Sequence, residues 1–219
     1  MNQIRKTALI AGASGLVGSE LLKKLLDNNN YSMIYSVVRK PSGLNHSKLN
    51  ELVVDFSHLS EELNKIDYVD HVFCCLGTTI KVAGSKEAFK TVDYFYPLIL
   101  AKWAEHKKSS RFLMITAMGA DSKSSIFYNR VKGEAENDIS KLALPSVTFF
   151  RPSLLIGNRK ESRAGEKLAI VFFKAISFLF IGPLKNYKGI HVSKVAEAMM
   201  QAAQNAKTGK EVILSGSMQ

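Results

Sequence analysis

Apolar runs alternate with segments of helical spacing along most of the chain. Thr7–Ala11 is a short β-type run, and Leu16–Leu26 carries apolar residues at the period of one helix face. Met33–Val38 reads as a second strand, Leu52–Val54 as a short third and His71–Leu76 as a fourth. Lys86–Lys107 predicts one long helix with Phe89, Val92, Tyr96, Leu100 and Trp103 along a broad face. Phe112–Ala117 predicts a fifth strand, Tyr128–Leu142 a helix and Val147–Phe150 a sixth strand. A polar loop at Gly157–Gly165, expected to be mobile, leads to an apolar helix within Leu168–Gly182. A helix at Lys194–Ala206 and a strand at Val212–Leu214 complete the chain. Alternation of this kind means βαβ units. Strands that read as continuous apolar runs are buried on both faces of a sheet. The expected fold class is α/β, a Rossmann-like doubly wound, mostly parallel sheet with helices on both faces. No repeat, low-complexity stretch or linker divides it, so residues 1–219 read as a single domain.

Composition excludes several alternatives. The chain has 219 residues, 46% of them hydrophobic, which suits a globular core and not a disordered or fibrous chain. Its two cysteines, Cys74 and Cys75, are neighbours, which rules out a disulfide scaffold and points to a reducing, cytoplasmic setting. On a strand the two side chains take opposite faces, so packing explains them better than redox chemistry. The five histidines show no metal-ligand spacing, and no metal is expected. Arg5 and Lys6 followed by apolar residues resemble a signal peptide only briefly, because the run enters Gly12-Ala13-Ser14-Gly15 at once. Leu168–Gly182 is too short to span a bilayer, which takes ~20 apolar residues. It suits a buried helix at a homodimer contact, with peripheral membrane attachment the weaker reading. The net charge of +11 permits nucleic-acid binding, but the basic residues are scattered and no helix-turn-helix or RNA-recognition signature is present, so none is expected.

The candidate chemistry begins where the first strand ends. Gly12-Ala13-Ser14-Gly15-Leu16-Val17-Gly18 opens directly into the first helix. Gly12 permits a tight turn, Gly15 lets backbone approach a pyrophosphate, and Gly18 lets the helix lie close to the sheet. Free N–H groups at the helix start, from Ser14 to Gly18, would then hold phosphates at its positive end. The spacing G-x-x-G-x-x-G is one residue longer than the common dinucleotide fingerprint, and its place between strand and helix is what makes it specific. NAD-selective sites carry Asp or Glu at the end of the second strand. Tyr31–Lys40 holds no acid and ends in Arg39-Lys40. A guanidinium suits a 2′-phosphate, so NADP(H) is expected over NAD(H). Asp55 suits either an adenine contact or a helix cap.

A second candidate follows the fifth strand. Tyr128 and Lys132 stand one helical turn apart and face the same way. An ammonium beside a phenol stabilises the phenolate. Such a tyrosine passes a proton to or from a carbonyl oxygen while hydride moves to or from nicotinamide. Thr116, at the end of the fifth strand, either orients a substrate carbonyl or is a strand residue with a locally satisfied hydroxyl.

These features in this order resemble the short-chain dehydrogenase/reductase superfamily, and more closely its atypical, Tat-interacting-protein-like branch of NAD(P)H-binding oxidoreductases. Cys75-Leu76-Gly77-Thr78-Thr79, Val92-Asp93, Gly119-Ala120-Asp121, Lys132-Gly133-Glu134, Arg151-Pro152-Ser153 and Glu161–Glu166 extend the likeness over nearly the whole chain. The resemblance implies NADP(H) bound across the sheet. Leu76, Gly77 and Thr78 would line its groove, Pro152 and Ser153 its nicotinamide side, and about 153–192 would supply a lid over a small-molecule substrate. Two departures stand out. Thr116-Ala117 replaces a serine pair common in relatives, and Asp93 stands where many members carry Asn. The expected function is an NADP(H)-dependent oxidoreductase acting on a carbonyl or alcohol. The alternative is an NADPH-binding regulatory protein with little turnover.

Overall fold

Each central strand divides its side chains between two cores. Ala8 and Ile10 of β1 (Lys6–Ala11) enter one, while Leu9 and Ala11 enter the other. The same division holds for Phe73 against Val72 and Cys74 in β4 (His71–Cys74), and for Leu113 against Phe112 and Met114 in β5 (Arg111–Ile115). A strand of this kind is stable only with helices on both sides. The computed structural model describes residues 5–157 and 186–219. Its main sheet has seven parallel strands in the order β3-β2-β1-β4-β5-β6-β9. The remaining members are β2 (Tyr31–Val38), β3 (Leu49–Val53), β6 (Ser146–Arg151) and β9 (Gly209–Leu214). The fold is therefore Rossmann-like and doubly wound, with the strand order reversing between β1 and β4.

Helix α1 (Leu16–Asp27) buries Leu21, Leu22, Leu25 and Leu26 on one face, beside α7 (Val192–Gln204) with Val195, Ala196 and Met199. The opposite face is covered by α2 (Leu59–Leu63), α5 (Tyr96–His106) and α6 (Phe127–Ile139). At the end of α1, Lys48 Nζ donates to the Leu26 and Asn28 carbonyls at 2.9 and 3.1 Å, where a cation meets the negative helix end. Short strands β7 (Leu155–Ile156) and β8 (Ile190–His191) pair beside the main sheet.

Three expectations change here. The helix expected over 86–107 is three pieces: α4 (Lys86–Lys90), a π-turn at Thr91–Phe95, and α5. Two short helices appear that the apolar pattern does not mark, α2 and α3 (Ile80–Ala83). The last strand starts at Gly209 because its polar half is the exposed sheet edge. The mobile loop, the apolar helix and most of the lid lie outside the described residues.

The end of the sheet away from the strand C-termini holds a buried polar pair. Tyr31 Oη and His71 Nδ1 are 2.7 Å apart, and both residues have no exposed surface. Burial, with Lys6 close by, pushes His71 from 6.5 down to about 3. Above pH 6.5 the imidazole is neutral in folded and unfolded chains alike. Below it only the unfolded chain takes up the proton, so this contribution is lost as pH falls from 6.5 towards 3. About 2 kcal/mol should be gone by about pH 5. The urea midpoint is expected to fall from pH 7 to 5, and to fall less in His71→Gln. Equal falls in both chains would exclude His71 as the cause.

Candidate active site

The switch point between β1 and β4 opens into a cleft of about 300 Å³. Gly15, Leu16 and Val17 form one wall, Cys75 to Thr79 the floor, and Ile115, Thr116, Asp93, Tyr128, Lys132 and Leu155 the rest. Two glycines make this arrangement possible. Gly12 has φ +89°, and a Cβ there would lie 2.5 Å from the Cys75 carbonyl oxygen. A Cβ on Gly18 would lie 2.1 Å from the Gly12 carbonyl oxygen, so no side chain fits between the helix and the turn. The helix start is left open. Gly15, at the N-cap position, offers no side-chain acceptor, and the first turn of α1 contains no acid. Unsatisfied N–H groups at a positive helix end favour an anion.

Opposite this wall stands α6. Tyr128 is half-buried, with its ring 5.5 Å from that of Phe89, and among the described residues its hydroxyl has no hydrogen-bond partner. One turn on, Lys132 is buried, and its Nζ lies 2.7 Å from Asp93 Oδ1. The other Asp93 oxygen accepts the Thr78 N–H at 2.9 Å. Burial by itself drives the Lys132 ammonium towards neutrality. Asp93 and the neighbouring Tyr128 phenol outweigh it, and the net shift is upward. Asp93 reaches the cleft from the π-turn, a helical irregularity often found at functional sites.

Thr116 lies at the cleft, but its hydroxyl is occupied. It donates to Glu136 Oε1 at 2.6 Å, and the Phe150 carbonyl lies at 3.3 Å. Glu136 is in turn clamped by Arg151, whose Nε is 3.1 and 3.2 Å from its two oxygens. The expectation of Thr116 as a free donor to substrate is therefore not met, because its single proton is committed. Glu136 and Arg151 escaped the sequence reading as a pair, since nothing local joins them.

The other expected residues lie elsewhere. Arg39 and Lys40 are exposed just beyond β2, and among the described residues neither forms an ion pair. Asp55 accepts the Ser57 N–H at 2.9 Å and caps a single helical turn, which holds its carboxyl below the usual range. Pro152 is buried and its carbonyl accepts the Met118 N–H. The Ser153 hydroxyl bonds the Lys188 carbonyl and the Ser215 hydroxyl, tying β6 to the returning chain. Cys74 and Cys75 face opposite cores, and burial pushes the Cys74 thiol up to about 12.

An open helix start on a glycine turn, set at the switch point across from a buried cation and the Tyr128 phenol, fits an anionic dinucleotide. That combination defines a Rossmann-type nucleotide-binding protein of the short-chain dehydrogenase/reductase kind. The chain belongs to the NAD(P)H-binding family, whose model matches residues 12–206, and within it to the Tat-interacting-protein-like branch. It is 37% identical over 174 residues to protein HTATIP2 of Rattus norvegicus, covering 78% of this chain and 72% of that one. It is 33% identical over 216 residues to the mitochondrial protein FMP52 of Candida albicans, covering 96% and 94%. Among solved structures, the Bordetella bronchiseptica enzyme WbmH in complex with NAD+ superposes with a TM-score of 0.72 at 16% identity, covering 97% of this chain and 76% of that one. MoeE5 in complex with UDP-glucose and NAD gives 0.67 at 18% identity, covering 94% and 74%. The cytoplasmic expectation is corrected by these relatives. The fungal ones are named mitochondrial, which points to mitochondria rather than the cytoplasm.

Proposed function

We propose that the protein is an NADP(H)-dependent oxidoreductase acting on the carbonyl or alcohol group of a small molecule. The observation that carries this reading is the Tyr128 hydroxyl in the cleft, with no hydrogen-bond partner among the described residues and one turn from a buried ammonium. The cofactor, when bound, supplies or accepts hydride. Gly12, Ser14, Gly15, Leu16, Val17 and Gly18 would hold its phosphates, Leu76, Gly77 and Thr78 its length, and Lys132 its nicotinamide end. Tyr128 delivers a proton to the substrate oxygen in reduction and removes it in oxidation. Thr116 serves as wall, with its proton held by Glu136. The test is NADPH oxidation followed by absorbance over a panel of aldehydes, ketones and UDP-sugars, the last because solved neighbours of this fold carry them. Oxidation dependent on one compound class supports the reading.

Preference for NADP(H) rests on Arg39 and Lys40 beyond β2, both exposed and neither in an ion pair among the described residues. Arg39→Ala is expected to weaken NADPH binding about thirtyfold and to leave NADH within about twofold. Equal losses for both cofactors would assign Arg39 no part in the choice.

The committed Thr116 proton favours a second reading, in which the protein binds NADPH to regulate a partner. Tight NADPH binding with no oxidation across the whole panel would decide for it.

A further inference from the structure

The cleft contains an arrangement that the proposed chemistry does not require. Lys132 is a buried cation whose side chain is 4% exposed, and Asp93 has no exposed surface. A lysine so placed tends to lose its proton unless an anion holds it. The groups that face it are few. On its own helix stand Tyr128, a phenol, and Glu136, whose carboxylate is taken by Arg151 and Thr116. From β4 comes Cys74, a neutral thiol pushed up to about 12 by burial, with Cys75 on the next position raised in the same way. The chain just past β5 offers Thr116, and the first turn of α1 offers no acid. Among the described residues, Asp93 is thus the one uncommitted carboxylate that meets Lys132.

Asp93 does two things at once. Oδ1 takes the ammonium at 2.7 Å and Oδ2 takes the Thr78 N–H at 2.9 Å. Gly77 is sandwiched between them: a Cβ there would sit 3.5 Å from Asp93 Oδ1 and 3.6 Å from Lys132 Nζ. The rod that carries Asp93 is fixed to α6 on both sides of it, by Lys90 with Glu134 at 3.0 Å and by Tyr94 Oη donating to Asp138 at 2.6 Å. The carboxylate is therefore held in place independently of anything bound in the cleft.

We infer that Asp93 is a positioning residue for cofactor binding, keeping the buried Lys132 a cation with one oxygen and holding the Gly77–Thr78 floor with the other. The inference rests on the proposed reading that Lys132 and this floor meet the cofactor. It departs from a neutral Asn at this position, which would serve Thr78 equally well and leave the ammonium unpaired. Asp93 acts through Lys132 and through the backbone and touches no ligand itself.

The test compares the full-length chain with Asp93→Asn, which retains an acceptor for Thr78 and removes the charge. The Lys132 resonance is followed by 13C or 15N NMR from pH 6 to 10 without cofactor, assigned by its loss in Lys132→Met. NADPH affinity is measured by fluorescence over the same range. In the native chain Lys132 is expected to stay protonated to about pH 10, and NADPH affinity to vary less than about threefold between pH 7 and 9. In Asp93→Asn, burial is opposed only by Tyr128 and Cys74. Lys132 should then titrate at least about one pH unit lower, and NADPH affinity should fall about tenfold between pH 7 and one unit above that new midpoint. Asp93→Glu should restore both profiles towards the native ones. If Asp93→Asn does not fold, the charge-neutral pair Asp93→Asn with Lys132→Met replaces it, and its NADPH affinity should be weak and flat with pH. A Lys132 that titrates alike in both chains, or NADPH affinities that change in parallel, overturns the inference. None of these readings needs turnover. A carbonyl panel without activity would therefore sink the oxidoreductase reading and leave this one standing.

Discussion

Tyr128→Phe will lower turnover about a thousandfold and leave NADPH binding within about twofold. The substitution removes one oxygen from a half-buried ring that packs 5.5 Å from Phe89. Because no protein group among those described bonds that oxygen, its loss strands no buried partner, and the fold should keep its stability to within about 1 kcal/mol. Lys132 remains paired with Asp93, so the cation expected at the nicotinamide end stays in place. The effect should therefore fall on kcat and hardly at all on the affinity for cofactor. Steady-state kinetics on whichever carbonyl class the panel identifies, with NADPH titrated by fluorescence, separates the two. Turnover unchanged in the variant would end the assignment of Tyr128 as the proton donor.

Gly18→Ala should be among the most damaging single methyls in the described residues. The added carbon would lie 2.1 Å from the Gly12 carbonyl oxygen and 2.8 Å from its carbon, both backbone atoms with no rotamer to retreat into. Gly12 is itself pinned by its positive φ and by the Cys75 carbonyl, so the strain passes to the β1–α1 turn or to the helix axis. A loss of about 3 kcal/mol or more is expected, together with NADPH binding too weak to measure. Chemical denaturation and cofactor titration check the two halves separately. Gly43→Ala gives a useful comparison, because that glycine also has positive φ but nothing within 4 Å of its would-be Cβ. It should cost about 1 kcal/mol and leave cofactor binding unchanged.

The strands could be read from the sequence because burial on both faces removes polar residues and leaves runs such as Ala8–Ala11. The glycine turn and the Tyr128/Lys132 pair were legible for a similar reason, since each is a local pattern on one element. The short helices were not. α2 and α3 span five and four residues, too few for a helical period, and their visible marks are caps such as Thr79 Oγ1 accepting the Val82 N–H at 3.2 Å. The π-turn was hidden because an apolar face runs unbroken from Phe89 through Leu100, and a change in hydrogen-bond register leaves composition untouched. Within the site, what stayed invisible was partnership. Asp93 with Lys132, and Glu136 with Arg151 and Thr116, each join residues from different elements, and only the sheet order brings them together. Thr116 shows the cost of that blindness. Its place at a strand end was legible, and the acceptor that claims its proton was not.

The π-turn also makes chain length at one point a determinant of chemistry. Thr91–Phe95 winds one residue more than a regular helix needs there. A chain shortened by one residue in this stretch would close towards a regular helix, missing only the backbone bond that Pro97 cannot donate, with the apolar face nearly intact. Each position on one side of the cut, however, would be rotated by about 100° relative to the other. Asp93 would leave the cleft, or Leu100 and Trp103 would leave the core. Descent by single-residue deletion would thus select between folding and function at a place where no substitution has occurred. A count of residues between Phe89 and Leu100 therefore distinguishes a chain able to keep this cleft charged from one that is merely folded.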